Sequence, residues 1–174
     1  MDEFCRRAKQ VKLIVFDVDG VMTDGSLYLG DDGQEYKAFN SLDGHGLKML
    51  KRSGVELAII TGRTSRVVAQ RAANLGIAYL YQGIEDKLGA LLTLLRELGL
   101  AAEQGAFMGD DVVDLPAMRH CGLAISVPAA SEVVRRHAHY VTRLGGGRGA
   151  VREACEAIMQ AQGALDAQLE PYLK

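Results

Sequence analysis

Five short apolar runs alternate with stretches of helical period, and this alternation leaves few folds open. The first run, residues 11–16, stops at Asp17-Val18-Asp19-Gly20; the others are Glu56–Ile60, residues 77–81, Gly105–Met108 and residues 122–125. Apolar runs of this length without polar alternation suit strands buried on both faces, as in a parallel sheet. Between them Leu47, Leu50 and Lys51, then Val67, Val68, Arg71 and Leu75, then Leu88, Leu91, Leu92, Leu95 and Leu98 recur at helical spacing. Gly54, Gly76 and Gly99 stand just past these stretches, where left-handed C-terminal caps are expected. The predicted class is α/β: a Rossmann-like, three-layer, mostly parallel sheet with right-handed crossovers and no dinucleotide fingerprint.

One segment interrupts the pattern. Leu27-Tyr28-Leu29 and Glu35-Tyr36-Lys37-Ala38-Phe39 flank Gly30-Asp31-Asp32-Gly33, which predicts a β-hairpin inserted over about 26–39. An isolated two-stranded hairpin is marginal in water, so it is expected to lean on something, such as another subunit. Gly145-Gly146-Gly147-Arg148-Gly149 reads as a flexible loop before a helix over Ala150–Gln162, and the tail, about 163–174, as loosely ordered in a monomer. No repeat or linker divides the 174 residues, so a single domain over 1–174 is expected.

The formal net charge of -2 gives no bulk attraction to nucleic acid or to acidic membranes. No apolar run approaches the roughly 20 residues that span a bilayer, and the run ending at Phe16 is too short for a signal-peptide core. Cys5, Cys121 and Cys155 lack metal-ligand spacing and read as free thiols in a reducing compartment, which places the chain in the cytoplasm. The four histidines, His137-x-His139 included, read as surface residues without a third metal ligand.

The chemistry lies where predicted strands end. Asp17 and Asp19 can turn towards one point, where two like charges call for a cation between them; magnesium suits such oxygen sites. A carboxylate there can attack phosphorus, and its neighbour can handle the leaving group's proton. Gly109-Asp110-Asp111-Val112-Val113-Asp114 supplies a second acidic cluster, with Asp110 a third metal-site residue and Asp114 an outer partner; Asp111 or Asp114 could equally cap a helix. Thr61-Gly62-Arg63-Thr64-Ser65 follows a strand and opens a helix, a cradle for phosphate or an ordinary cap. Lys87 stands at a helix start, where the macrodipole disfavours a cation unless anions lie nearby. Ligands in open α/β sheets bind outside the carboxyl ends of strands, and phosphoryl transfer needs a nucleophile, a metal and groups that hold the phosphate oxygens.

Asp17-x-Asp19-Gly20-x-x-Thr23, Thr61, Lys87 and Gly109-Asp110-x-x-x-Asp114 resemble the four motifs of the haloacid dehalogenase superfamily of phosphatases. The resemblance implies Asp17 as nucleophile, Asp19 as general acid/base, and Thr61 and Lys87 as phosphate-binding groups. It implies Mg²⁺ held by the Asp17 and Asp110 carboxylates and the Asp19 backbone carbonyl. Asp17 to Gly25, the hairpin, Lys37 to Asn40, Asp43-Gly44, the Asp114-Leu115-Pro116 segment and Gly147 to Glu153 further resemble the family of 3-deoxy-D-manno-octulosonate 8-phosphate phosphatases. Met22 stands where that family favours Leu, and His45-Gly46-Leu47 where an aromatic residue and Ile are commoner. This resemblance implies a haloacid-dehalogenase-like core with no large cap domain, a homotetramer built through the hairpin, and a tail that can close a neighbouring pocket. It also implies substrate contacts from Asp19, Asn40, Ser41, Asp43, Gly44, Lys48, Gly62, Arg63, Arg71 and Lys87, and a step in lipopolysaccharide inner-core sugar synthesis. A phosphatase for a nine-carbon sialic-type acid and a non-catalytic partner of the same fold are the competing expectations.

Overall fold

The computed structural model describes residues 3–174. Six strands form one sheet: β1 (Leu13–Phe16), β4 (Glu56–Ile60), β5 (Tyr79–Tyr81), β6 (Gly105–Met108), β7 (Leu123–Ser126) and β8 (Tyr140–Val141). Their order is β5-β4-β1-β6-β7-β8, and every pairing is parallel. The predicted sheet is thus present, with one strand added. β8 escaped notice because it is a two-residue edge strand without an apolar run.

Helices follow the strands as right-handed crossovers require. α1 (Glu3–Ala8), α2 (Ser41–Arg52), α3 (Arg66–Leu75) and α7 (Ala150–Gln162) form one layer, with α2 lying along α7. α4 (Lys87–Leu98), α5 (Leu115–His120) and α6 (Glu132–His137) form the other. Gly76 and Gly99 adopt the left-handed caps expected of them, and Gly54 follows α2 with φ +98. The core is the sheet itself: Leu13 to Phe16 and Ala106 to Met108 are wholly buried.

β2 (Tyr28–Leu29) and β3 (Glu35–Tyr36) form the antiparallel hairpin, outside the main sheet. The tail carries α8 (Leu165–Leu169) and a 3-10 turn at Glu170–Tyr172, where a loose segment was expected. α8 packs on α7, with Leu165 and Leu169 against the core, and the turn beyond it meets α2, where the Tyr172 ring faces His45 edge-on at 5.4 Å and Arg52 reaches the Tyr172 hydroxyl at 3.4 Å. The Gly145–Gly149 segment is likewise no free linker. A Cβ at Gly146 would stand 1.8 Å from the Gly20 carbonyl oxygen, so glycine here lets two backbones touch. His139 is also more than a surface residue, since its Nδ1 accepts the Ala124 N–H at 2.9 Å. The cysteines are free thiols, and no helix among the described residues is long and apolar enough to cross a membrane.

Candidate active site

The order of strands reverses beside β1: the chain winds outward through β4 and β5, then returns across the sheet to β6. Loops leaving β1, β4 and β6, with the start of α4, therefore converge on a cavity of about 430 Å³. It is lined by Asp17, Asp19, Thr61, Gly62, Arg63, Lys87 and Asp110, with Ile84, Glu85, Asp111 and Val113 around them.

Asp17 is the first residue beyond β1, and its N–H still donates to Met108 O at 3.0 Å, which keeps it in register with β6. The wide turn Val18–Met22 is closed by Thr23 N donating to Val18 O at 3.0 Å. Inside it Asp19 (ψ 118) and Gly20 (φ +90) leave the helical path, so Asp17 and Asp19 both reach the cavity. A Cβ on Gly20 would lie 2.1 Å from Asp110 Oδ2, so glycine makes room for the second acidic loop.

Lys87 is 4% exposed, its Nζ 2.9 Å from Asp17 Oδ1 and 2.6 Å from Asp114 Oδ1. These two anions offset the unfavourable macrodipole at the start of α4. Asp114 is wholly buried and fully committed: Oδ1 meets Lys87, while Oδ2 accepts from Asp110 N at 3.0 Å and Asp111 N at 3.1 Å. Asp111 caps the short turn after it by accepting from Val112 N at 2.7 Å. Thr61 is buried at the end of β4, but α3 begins only at Arg66. Residues 61–65 form a loop drawn towards the exit of β5, since Thr61 N donates to Tyr81 O and Ser65 N to Gln82 Oε1. The expected helix N-terminus at Thr61 is thus displaced by several residues.

Asp17 and Asp110 are both held above the ordinary carboxylate range. Burial is the main cause for Asp17, with the charge of Asp114 added and Lys87 opposing, and it titrates at about 6. For Asp110 burial again leads, followed by repulsion from Asp17, Asp114 and Asp111, and it titrates at about 7. Carboxylate oxygens of Asp17, Asp110 and Asp114 lie within 4.8 Å of one another, and Asp110 Oδ1 is buried with no hydrogen-bond partner. This all-oxygen, charge-strained set fits a hard divalent cation. Asp114 is already occupied, which leaves Asp17 and Asp110 as the carboxylates open to one.

The other expected substrate-contact residues stand elsewhere in the chain. Asn40 caps α2, its Oδ1 accepting from Leu42 N at 2.8 Å, and with Ser41 it lines a separate hollow beside Gly147 and Arg148. Asp43 is buried between α2 and α7, where Oδ1 accepts from Arg152 N at 2.8 Å. Arg71 donates to Asn40 O at 3.1 Å and lies over the Phe39 ring; Gly44 leaves room for its guanidinium. Lys48 is exposed on α2. Two residues at the site were not anticipated: Lys37, with Nζ 2.5 Å from Asp19 Oδ1, and Glu35, 3.2 Å from the same ammonium. Their spacing of two, which puts both on one face of a strand, was the available signal.

The model of the haloacid dehalogenase-like hydrolases matches residues 29–122. The chain belongs to this family. It is 48% identical over 160 residues to 3-deoxy-D-manno-octulosonate 8-phosphate phosphatase KdsC of Escherichia coli K12, a match covering 92% of this chain and 85% of that one. Among solved structures, the 3-deoxy-D-manno-octulosonate 8-phosphate phosphatase of Moraxella catarrhalis, in complex with magnesium, phosphate and KDO, superposes with TM-score 0.97 at 46% identity, over 99% of both chains. The cobalt-bound phosphatase of Haemophilus influenzae superposes with TM-score 0.92 at 38% identity, over 97% of this chain and 99% of that one. In this hydrolase the strand-end aspartates, Lys87 and Thr61 occupy the cavity just described.

Proposed function

We propose that the chain is a Mg²⁺-dependent phosphomonoesterase that hydrolyses 3-deoxy-D-manno-octulosonate 8-phosphate to the free sugar acid and phosphate. The observation that carries the chemistry is the meeting of Asp17, Lys87 and Asp110, whose Oδ1 is buried without a partner, at the carboxyl ends of the strands. The substrate is supported by the extent of the match to the E. coli and M. catarrhalis phosphatases.

Asp17 is the nucleophile. Its carboxylate attacks phosphorus in line, the bond to the C8 oxygen breaks, and Asp19 gives that oxygen a proton. Asp19 then takes a proton from the water that cleaves the aspartyl-phosphate. Lys87 and Thr61 bind the phosphate oxygens, with Lys87 held on Asp17 by Asp114. The Asp17 and Asp110 carboxylates and the Asp19 carbonyl would hold Mg²⁺, which supplies positive charge to the transferring group. Gly62 and Arg63 bind the sugar acid from the same cavity. Asn40, Ser41, Asp43, Gly44, Lys48 and Arg71 belong to the sugar-contact surface completed by a second copy.

The enzyme acts as one domain in the cytoplasm, as a homotetramer joined through the hairpin, in lipopolysaccharide inner-core sugar synthesis. The exposed Leu27, Tyr28, Leu29 and Tyr36 of the hairpin support the assembly. Phosphate release from a panel of sugar phosphates, with and without Mg²⁺, tests the reading. Strong Mg²⁺-dependent preference for the eight-carbon substrate is expected. Preference for a nine-carbon acid would move the substrate, and silence throughout would leave a non-catalytic relative.

A further inference from the structure

Four charges close a ring beside the cavity. Lys37 Nζ is 2.5 Å from Asp19 Oδ1 and 3.2 Å from Glu35 Oε1; Arg63 is 3.5 Å from that same Glu35 oxygen and 3.8 Å from Asp19 Oδ2. The signs alternate round the ring, so each charge has an opposite on both sides. Only Lys37 is fully withdrawn from water: its side chain is 1% exposed, against 22% for Asp19, 18% for Glu35 and 49% for Arg63. Desolvating an ammonium is costly unless it is paired, and a hairpin lysine has open solvent within reach. Its two carboxylate partners account for its burial.

Asp19 needs such a hold. Its backbone lies in a turn that leaves the helical path, and its side chain faces a cavity. Oδ1 is committed to Lys37, whereas Oδ2 has only the more distant Arg63. We propose that Lys37 is a positioning residue: it fixes the Asp19 carboxylate so that Oδ2 meets the leaving oxygen, with Glu35 holding Lys37 in turn. The inference rests on Asp19 being the acid of the reaction above. For this step Asp19 carries a proton on Oδ2, the oxygen that Lys37 leaves open; when the P–O bond breaks, its electron pair goes to the leaving oxygen, and an alkoxide there takes that proton, leaving Asp19 ionised and paired with Lys37. A nitrophenolate is weakly basic and leaves without that proton, so loss of positioning is selective for the leaving group while damage to the fold is not.

The test compares kcat/KM, which covers steps through departure of the leaving group, for 3-deoxy-D-manno-octulosonate 8-phosphate and p-nitrophenyl phosphate. Lys37→Met is expected to lower the first by about 30-fold or more and the second by less than about threefold, with Lys37→Arg recovering part of the loss. Asp19→Asn should show the same selectivity, more strongly. Equal losses on both substrates, or none, for Lys37→Met would overturn the proposal while a selective Asp19→Asn left the acid assignment standing. An unselective Asp19→Asn would instead sink the assignment of Asp19 itself. Thermal melting and light scattering show whether each variant folds and assembles. If Lys37→Met does not, Glu35→Gln replaces it, with a selective loss of about fivefold expected and an equal loss on both substrates overturning the inference.

Discussion

Two groups of carboxylates withdrawn from solvent, wholly or in part, are treated in opposite ways in this molecule. Glu153, in the first turn of α7, is 8% exposed and surrounded by donors. It accepts from Arg143 N at 2.9 and 3.1 Å, Leu144 N at 3.0 Å and the Tyr140 hydroxyl at 2.7 Å. Burial alone would raise its pKa, but the Arg143 N–H, the Tyr140 hydroxyl and the Leu144 N–H outweigh it and hold it below the usual value. Asp17 is buried and Asp110 half-buried among further carboxylates, with Lys87 the cation that touches Asp17 and an oxygen of Asp110 left bare. Glu153 is built to hold the chain: it ties the loop after β8 to α7. The strand-end pair is short of donors because what completes it is not part of the polypeptide.

The largest expected effects test this division directly. Asp17→Asn should lower kcat by at least about 1000-fold, since the nucleophile is lost. Its melting temperature without Mg²⁺ should be unchanged or higher, because one of several crowded negative charges disappears. Retained turnover would remove Asp17 as nucleophile, and a lower melting temperature would mean that its charge supports the fold as Glu153 does. Glu153→Ala should do the reverse. Stranding three part-buried donors costs about 1–3 kcal/mol, or roughly 2–12 °C in a domain of this size, with kcat/KM at 25 °C within about threefold. Calorimetry and steady-state assays on the two variants are expected to cross over in this way.

The same division marks what a reader of the sequence can see. β1, β4 and β6 and their exits at Asp17, Thr61 and Gly109 were legible because buried parallel strands write themselves as unbroken apolar runs. α7 was legible to the residue, since a glycine stands at either end. Lys37 and Glu153 were not given roles, because a charged residue on a hairpin or in the first turn of a helix ordinarily faces water. Their burial depends on partners 18 and 10 residues away, which no local pattern reports. Asn40 to Lys48 lie off the cavity, and nothing in their local pattern points to a ligand.

A smaller effect sharpens the comparison through pH. Asp17 and Asp110 keep their protons when folded at pH values where the unfolded chain has released them. The metal-free protein should therefore lose stability from these two groups as pH rises from about 4 to about 7, and nothing further above that. Glu153 contributes with opposite sign: its stabilisation is present above its unfolded value and lost as pH falls through its lower folded one. Mg²⁺ must displace protons from the aspartates, so its stabilisation should reach about 5 °C at pH 8 under saturating metal, and less than half of that at pH 5.5. Equal stabilisation at both pH values would mean that Mg²⁺ does not bind through these carboxylates.

Asp43 is the intermediate case and carries the smallest expected change. Oδ1 behaves like Glu153, accepting from Arg152 N in the first turn of α7, whose own N-cap is Gly149 and brings no side-chain oxygen. Oδ2 behaves like Asp110, buried with no partner, and burial above all raises the pKa of the group. Asp43→Ala removes a cap and should cost about 1 kcal/mol, whereas Asp43→Asn keeps an oxygen for Arg152 N and should melt within about 2 °C of wild type. If a bare oxygen is the mark of a group kept for a ligand, Asp43→Asn should nonetheless raise KM for the sugar acid phosphate about fivefold while leaving kcat within twofold. An unchanged KM with a fallen melting temperature would place Asp43 with Glu153, as a helix cap borrowed from the neighbouring α2.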